Sequence, residues 1–197
     1  MSTLEGAVVR LRAAPAVLVL RPWTEADDDL DCKRVLVDDP SDVELLGVSF
    51  SQTPAAWYDD WRTALGRDPA AAAVITTPAL GDTEFGDRNV DVDVETVATP
   101  TNLTGVGVKA TPYLREWDDA VVAVESLSVL LQYASTRAVY RFLHALTTRI
   151  RITGLSGQFY LDPTTLDAQT VDLLTTLFDA VVECDGSADG WTVRQSD

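Results

Sequence analysis

Val121-Val122-Ala123-Val124-Glu125-Ser126 is an unbroken apolar run, mostly β-branched, that closes on a carboxylate and a hydroxyl. A strand buried on both faces reads this way, and such strands belong to sheets covered by helices. Working outward from it, strand-like and helix-like segments alternate along the chain, which argues for an α/β domain with a mainly parallel central sheet. In such a sheet ligands sit beyond the carboxyl ends of the strands, so the residues that follow each strand are the ones to inspect. They are residues 22–29, Ser51 and Gln52, Glu125 and Ser126, and Asp162.

Upstream, residues 16–21 read as the first strand, and Thr24 is placed to cap a helix running to about Val37. Residues 43–50 form the second strand. Thr53 then caps, Pro54 occupies the first helical position, Trp57, Trp61 and Leu65 share one face, and Gly66 ends the helix. Residues 71–76 are a short buried strand, and residues 78–89, with Gly81 and Gly86, are a loop. Residues 90–94 alternate apolar and acidic, which puts Asp91, Asp93 and Glu95 on one face of a solvated edge strand; a metal site is the less economical reading of that pattern.

Residues 103–117 are expected to be helical, with Pro112 kinking or dividing the helix. Downstream of the 120–124 strand, Leu127–Tyr133 is short and apolar. A longer helix over 136–150 carries the stripe Val139, Phe142, Leu143, Leu146 and Ile150. Residues 157–161 are the next strand and 164–177 the next helix. Residues 180–184 and 191–194, joined by the turn 185–190, close the chain as a hairpin. One domain with its core over about residues 14–195 accommodates all 197 residues.

Composition narrows the function classes. The formal net charge is −16 with a pI near 4.2, and Lys33 and Lys109 are the only lysines among 15 basic residues. Direct nucleic-acid binding is therefore not expected. Abundant Asp with little Lys resembles the protein style of halophilic archaea, where at about 1 M salt the Debye length falls to roughly 3 Å and carboxylates repel only weakly. The alternative is an acidic surface that mimics DNA, but Asp27–31, Asp59-Asp60, residues 91–95 and Asp118-Asp119 are spread along the chain rather than clustered. No apolar run is long enough for a membrane span, and Cys32 and Cys184 are too few for a disulfide framework, so a cytoplasmic protein with two free thiols is expected.

The run ending in Glu125-Ser126 resembles the second phosphate-site motif of RecA-like ATPases. With Val48-Ser49-Phe50-Ser51-Gln52-Thr53-Pro54, Leu103-Thr104-Gly105-Val106-Gly107-Val108, Leu130-Leu131, Arg141-Phe142-Leu143 and the stretch from Leu177 to Glu183, it makes the chain resemble the KaiC-like branch of the RecA superfamily. It resembles more closely a group of haloarchaeal proteins related to that branch. The resemblance spans residues 16–184 and implies a RecA-like three-layer sandwich with a C-terminal β-hairpin.

Departures from the family pattern bear on chemistry. The paired glutamates that activate water in KaiC-like ATPases correspond here to Ser51 and Gln52, neither a general base at neutral pH. The magnesium-side acid, usually Asp, is Glu125. Residues 22–29 contain no glycine and no lysine, so the backbone cradle of a phosphate loop is missing. Each of Asp27, Asp28 and Asp29, if about 8 Å from a phosphate, would oppose it by roughly 2 kcal/mol at an effective dielectric near 20. Their plainer role is to favour the positive end of the helix that starts nearby.

The expected protein is thus a pseudo-ATPase: a non-catalytic RecA/KaiC-like regulatory or scaffolding module of a halophilic archaeon, with no cofactor and with Glu125 and Ser126 as a vestigial nucleotide site. The alternative is a nucleotide sensor or ATPase that holds ATP and magnesium through Glu125 and Ser126 at an unconventional phosphate site. His144 reads as a hydrogen-bonded helix residue, since no nucleophile motif accompanies it. Arg137, Arg141, His144 and Arg151 recur at helical spacing as the densest basic stripe of the chain. It reads either as a face salt-bridged to its neighbours or as a surface for a protein partner or a second copy.

Overall fold

The structure, a computed structural model, describes residues 11, 13–22, 33–34, 36–37, 39–81, 91–184 and 191–195. Its strands are β1 (Ala16–Leu20), β2 (Glu44–Ser49), β3 (Ala71–Thr76), β4 (Val92–Thr96), β5 (Ala120–Glu125), β6 (Ser156–Leu161), β7 (Ala180–Cys184) and β8 (Trp191–Gln195). They hydrogen-bond into one sheet in the order β4-β3-β2-β5-β6-β1-β7-β8. Every pair is parallel except β7 with β8, the C-terminal hairpin. The central strands are Ala, Val and Leu runs buried on both faces, as a sheet with helices on each side requires.

The helices are α1 (Pro54–Leu65), α2 (Pro78–Gly81), α3 (Leu103–Ala110), α4 (Tyr113–Glu116), α5 (Leu127–Tyr133), α6 (Thr136–Thr153) and α7 (Ala168–Thr175). On one face of the sheet α3 to α7 cover a core that includes Leu18, Leu46, Val122, Val124, Phe159 and, from α6, Val139, Leu143, Leu146 and Ile150. The opposite face carries a second core under α1, built on Trp57, Tyr58, Trp61 and Leu65. A third, around Leu11, Val17, Val19 and Leu36, lies under the β1 and β7 end.

Several sequence expectations are adjusted. The helix expected over 103–117 is divided at Pro112, which has no N–H to continue the ladder. Thr111 closes α3 instead, its N donating to the Val108 carbonyl (3.2 Å) and its Oγ1 to that of Gly107 (2.8 Å); the Pro112 carbonyl then accepts from Arg115 and Glu116 to start α4. The helix expected over 164–177 is also divided. Asp162 accepts from Thr164 N (2.9 Å) and Thr164 Oγ1 (2.6 Å) to start a single 3₁₀ turn, Pro163–Thr165. Leu166 turns extended, and Asp167 caps α7 through Thr170 N (2.9 Å) and Oγ1 (2.8 Å). Two capping aspartates five residues apart each offer the backbone a local partner, and each starts its own helix. The Thr170 hydroxyl, followed by backbone N–H groups, holds the Asp167 carboxyl below its ordinary range.

The edge strand expected at 90–94 runs two residues later, Val92–Thr96, and it is an edge: β4 pairs with β3 alone. Asp91 and Asp93 are exposed, while Glu95 reaches Lys109 of α3 at 2.6 Å. The expected loop 78–89 begins with α2, and its residues 82–89 lie outside the described residues, as do most of the helix expected over 24–37, Asp27–29, Cys32 and the turn 185–190.

Tyr113 opens α4 with its ring edge-on to Trp117 at 4.9 Å. Burial, and after it the carboxylates of Asp93 and Glu95, push its phenol up to about 12. The fold therefore favours the neutral phenol. That contribution is complete below the ordinary value near 10 and is lost as pH rises from there through the folded value. In a spectrophotometric phenolate titration, Tyr113→Phe is expected to remove a step near pH 12. Loss of a step near pH 10 instead would contradict this environment.

Candidate functional site

The carboxyl ends of the parallel strands converge at one edge of the sheet. The register pairs Ser49 with Glu125, and strand alternation puts Ser49 of β2, Thr76 of β3 and Glu125 of β5 on the face covered by α1. Helix α1 is fixed from both ends. Thr53 Oγ1 accepts from Ala56 N (3.3 Å), Pro54 supplies the first residue, and Gly66 takes the left-handed conformation (φ 71°) that a side chain would resist. Its apolar face lies flat on β2 because residue 47 is glycine: a Cβ there would meet two Trp57 ring atoms at 2.6 Å. This close approach carries Trp61, one turn on, to the end of β5.

There Trp61 Nε1 donates to Glu125 Oε1 at 3.1 Å. The same oxygen lies 3.4 Å from the ammonium of Lys33, a side chain 1% exposed beside a Glu125 side chain 11% exposed. The ammonium also sits 5.4 Å from the centre of the Trp61 ring. Trp61 thus serves the pair twice, donating to the anion and offering its π face to the cation. A charge pair this deep is retained only if its partners are well placed, since desolvation opposes both ions.

The neighbouring hydroxyls face inward. Ser126 is buried, and its Oγ caps α5 by accepting from Ser128 N (3.1 Å). Ser128 Oγ in turn accepts from Asp162 N (2.9 Å), tying the end of β5 to the end of β6. Arg21 N donates to the Leu161 carbonyl (2.9 Å), joining β1 to the same corner. The peptide between Glu125 and Ser126 is cis. Of the residues after β2, Ser51 is exposed and Gln52 is half-buried with its amide nitrogen unbonded. The buried Ser49 and Thr76 hydroxyls are likewise without a hydrogen-bond partner among the described residues.

So the structure brings Glu125 and Ser126 together, but in different company from that expected. Glu125 holds a lysine and a tryptophan, and Ser126 holds a helix N-terminus. The residue that sequence reasoning missed is Lys33. Its signal was its rarity, one of two lysines in an Arg-based chain.

The basic stripe lies apart from this corner. Arg151 is engaged within the fold: its Nε donates to both Asp179 oxygens (3.0 and 3.1 Å) and its Nη2 to the Leu177 carbonyl (2.7 Å). Arg137, Arg141 and His144 are exposed along α6. Among the described residues no group of three or more His, Cys, Asp or Glu is placed to hold a metal ion. No helix among them is long and apolar enough to cross a membrane.

Comparison with known proteins gives three findings. A family of unknown function, DUF7504, matches residues 14–184. No curated protein matches the chain. Among solved structures, the chain is similar to the Pyrococcus horikoshii OT3 protein PH0250, at 11% identity and a TM-score of 0.60 over 92% of this chain and 86% of that one. It is also similar to the uncharacterised protein PH0321 of Pyrococcus horikoshii, solved in complex with an unknown peptide, at 11% identity and a TM-score of 0.56 over 91% and 82%. At these identities the likeness establishes the shared fold.

Proposed function

We propose that this chain, which belongs to the DUF7504 family of unknown function, is a KaiC-like module that has lost nucleotide chemistry and acts through its surfaces as a cytoplasmic regulatory or scaffolding protein of a halophilic archaeon. The observation that carries this reading is the Lys33–Glu125–Trp61 cluster. A magnesium ion bound at Glu125 would share its carboxylate with the Trp61 N–H and with the Lys33 ammonium, which lies 3.4 Å from Oε1. A cation beside a resident ammonium is opposed electrostatically, and removing that ammonium would leave it buried without its anion. Ser126, the other candidate ligand, is committed to capping α5. The described residues at this corner therefore do not fit a magnesium nucleotide.

Protein binding is the activity that remains for such a fold. PH0321, at a TM-score of 0.56, was solved with a peptide; for this chain a protein partner is our proposal, supported by the concentration of bare Arg on α6. Phosphate release from ATP and magnesium in about 1 M potassium chloride, where so acidic a chain is well screened, is expected to stay at the buffer level. Turnover that survives rigorous purification and falls with Glu125→Gln would overturn the reading in favour of an ATPase with an unconventional phosphate site.

A further inference from the structure

In a chain of net charge −16, the 18-residue helix α6 carries Arg137, Arg141, Arg149, Arg151 and His144, and neither Asp nor Glu. Arg151 is tied to Asp179, but Arg137, Arg141 and Arg149 have no carboxylate within salt-bridge distance among the described residues. Alongside them, between α3, α4 and α6, runs a cleft of about 270 Å³ floored by Gly107, Leu114, Phe142 and Leu146, with Arg149 at its edge. Its rim is open to solvent at Val108, which is 64% exposed. Among the described residues the Arg149 guanidinium donates to Thr111 Oγ1 over a long 3.4 Å.

We propose that this cleft is the docking site for an acidic amphipathic peptide segment of a partner protein, a proposal that rests on the non-catalytic reading above and gives its partner a place and a chemistry. Apolar anchors of the segment enter the cleft between Val108 and Phe142, while its carboxylates meet Arg149 at the edge and the exposed Arg141, one helical turn before Ala145 of the cleft wall. Charge complementarity selects this occupant. The rest of the chain repels an acidic partner, so α6 is where such a segment gains attraction without crossing like charge. An Arg guanidinium at a half-buried rim suits bidentate carboxylate recognition. Arg137, one turn before Arg141 on the same helix, extends the basic track beyond the cleft.

The test uses the full chain and a fluorescein-labelled synthetic helix with Leu at i, i+3 and i+7 and Glu elsewhere. It is titrated by polarisation at about 0.15 M and about 1 M potassium chloride, with circular dichroism to confirm the fold at each salt. Saturable binding is expected, weaker at high salt. Arg141→Glu with Arg149→Glu is expected to weaken it by about tenfold or more, Val108→Ser to weaken it at both salts, and Arg67→Glu, just past the C-cap of α1, to leave it unchanged. A peptide with Lys in place of Glu should not bind this face. Absence of binding, or binding that Arg67→Glu reduces as much as the α6 changes do, would overturn the proposal. So would self-association in sedimentation that the α6 changes abolish, which would assign the face to a second copy. Because ATP hydrolysis is read separately, failure of the peptide leaves the non-catalytic reading standing.

Discussion

Lys33→Met is expected to cost about 3–5 kcal/mol of folding stability, the range for stranding one member of a buried ion pair. The Lys33 side chain is 1% exposed, and the mutation would take its ammonium away from Glu125, whose Oε1 would keep the Trp61 N–H. The companion change separates a stranded charge from lost packing. In the double variant Lys33→Met, Glu125→Gln no charge remains, the glutamine carbonyl still accepts from Trp61, and most of the lost stability should return. Equilibrium denaturation in about 1 M potassium chloride reads both. A single variant costing under about 1 kcal/mol, the value of an exposed pair, would mean that the cluster is solvated and does not hold Glu125.

Trp57→Ala is expected to cost a similar amount, about 3–5 kcal/mol, as a large aromatic side chain removed from a core that cannot collapse around the gap. The indole is fully buried and lies on Gly47 so closely that a methyl there would overlap its ring atoms at 2.6 Å. Gly47→Ala should accordingly destabilise by about 1–3 kcal/mol through overpacking. Trp57→Phe should be the mildest of the three, because the Trp57 Nε1–H has no acceptor to lose among the described residues. The two sites act through one contact, so the double variant Gly47→Ala, Trp57→Ala should cost less than the sum of the singles. Strict additivity would show that the helix reaches the sheet by some other fit, and with it the placement of Trp61 at Glu125 would lose its basis.

Much of the architecture is local in origin and was legible from the residues. The apolar run closing on Glu125 is strand β5. The signals at Thr53, Pro54 and Gly66 bound α1 where they were read, and the spacing of Val139, Leu143, Leu146 and Ile150 is the buried stripe of α6. Pro112 divides the helix over 103–117, one of the two outcomes read there, whereas at Asp162 and Asp167 side-chain oxygens compete with the helix ladder, and apolar periodicity does not report which bond is made. The site was less legible. Glu125 and Ser126 stood out as the end of a buried strand, but what they do depends on tertiary partners: Trp61, delivered by the close contact at Gly47, and Lys33, about ninety residues upstream of the carboxylate it meets. In the sequence Lys33 is one of two lysines, inside the helix expected over 24–37, and the fold shows it buried beside a glutamate.

The central claim is that Lys33 occupies the carboxylate a magnesium nucleotide would use, and calorimetric titration of the intact chain with ATP and magnesium in about 1 M potassium chloride tests it most directly. The account predicts no saturable heat while circular dichroism shows the fold intact. Micromolar, stoichiometric binding that is lost in Glu125→Gln would contradict it and make the protein a nucleotide sensor.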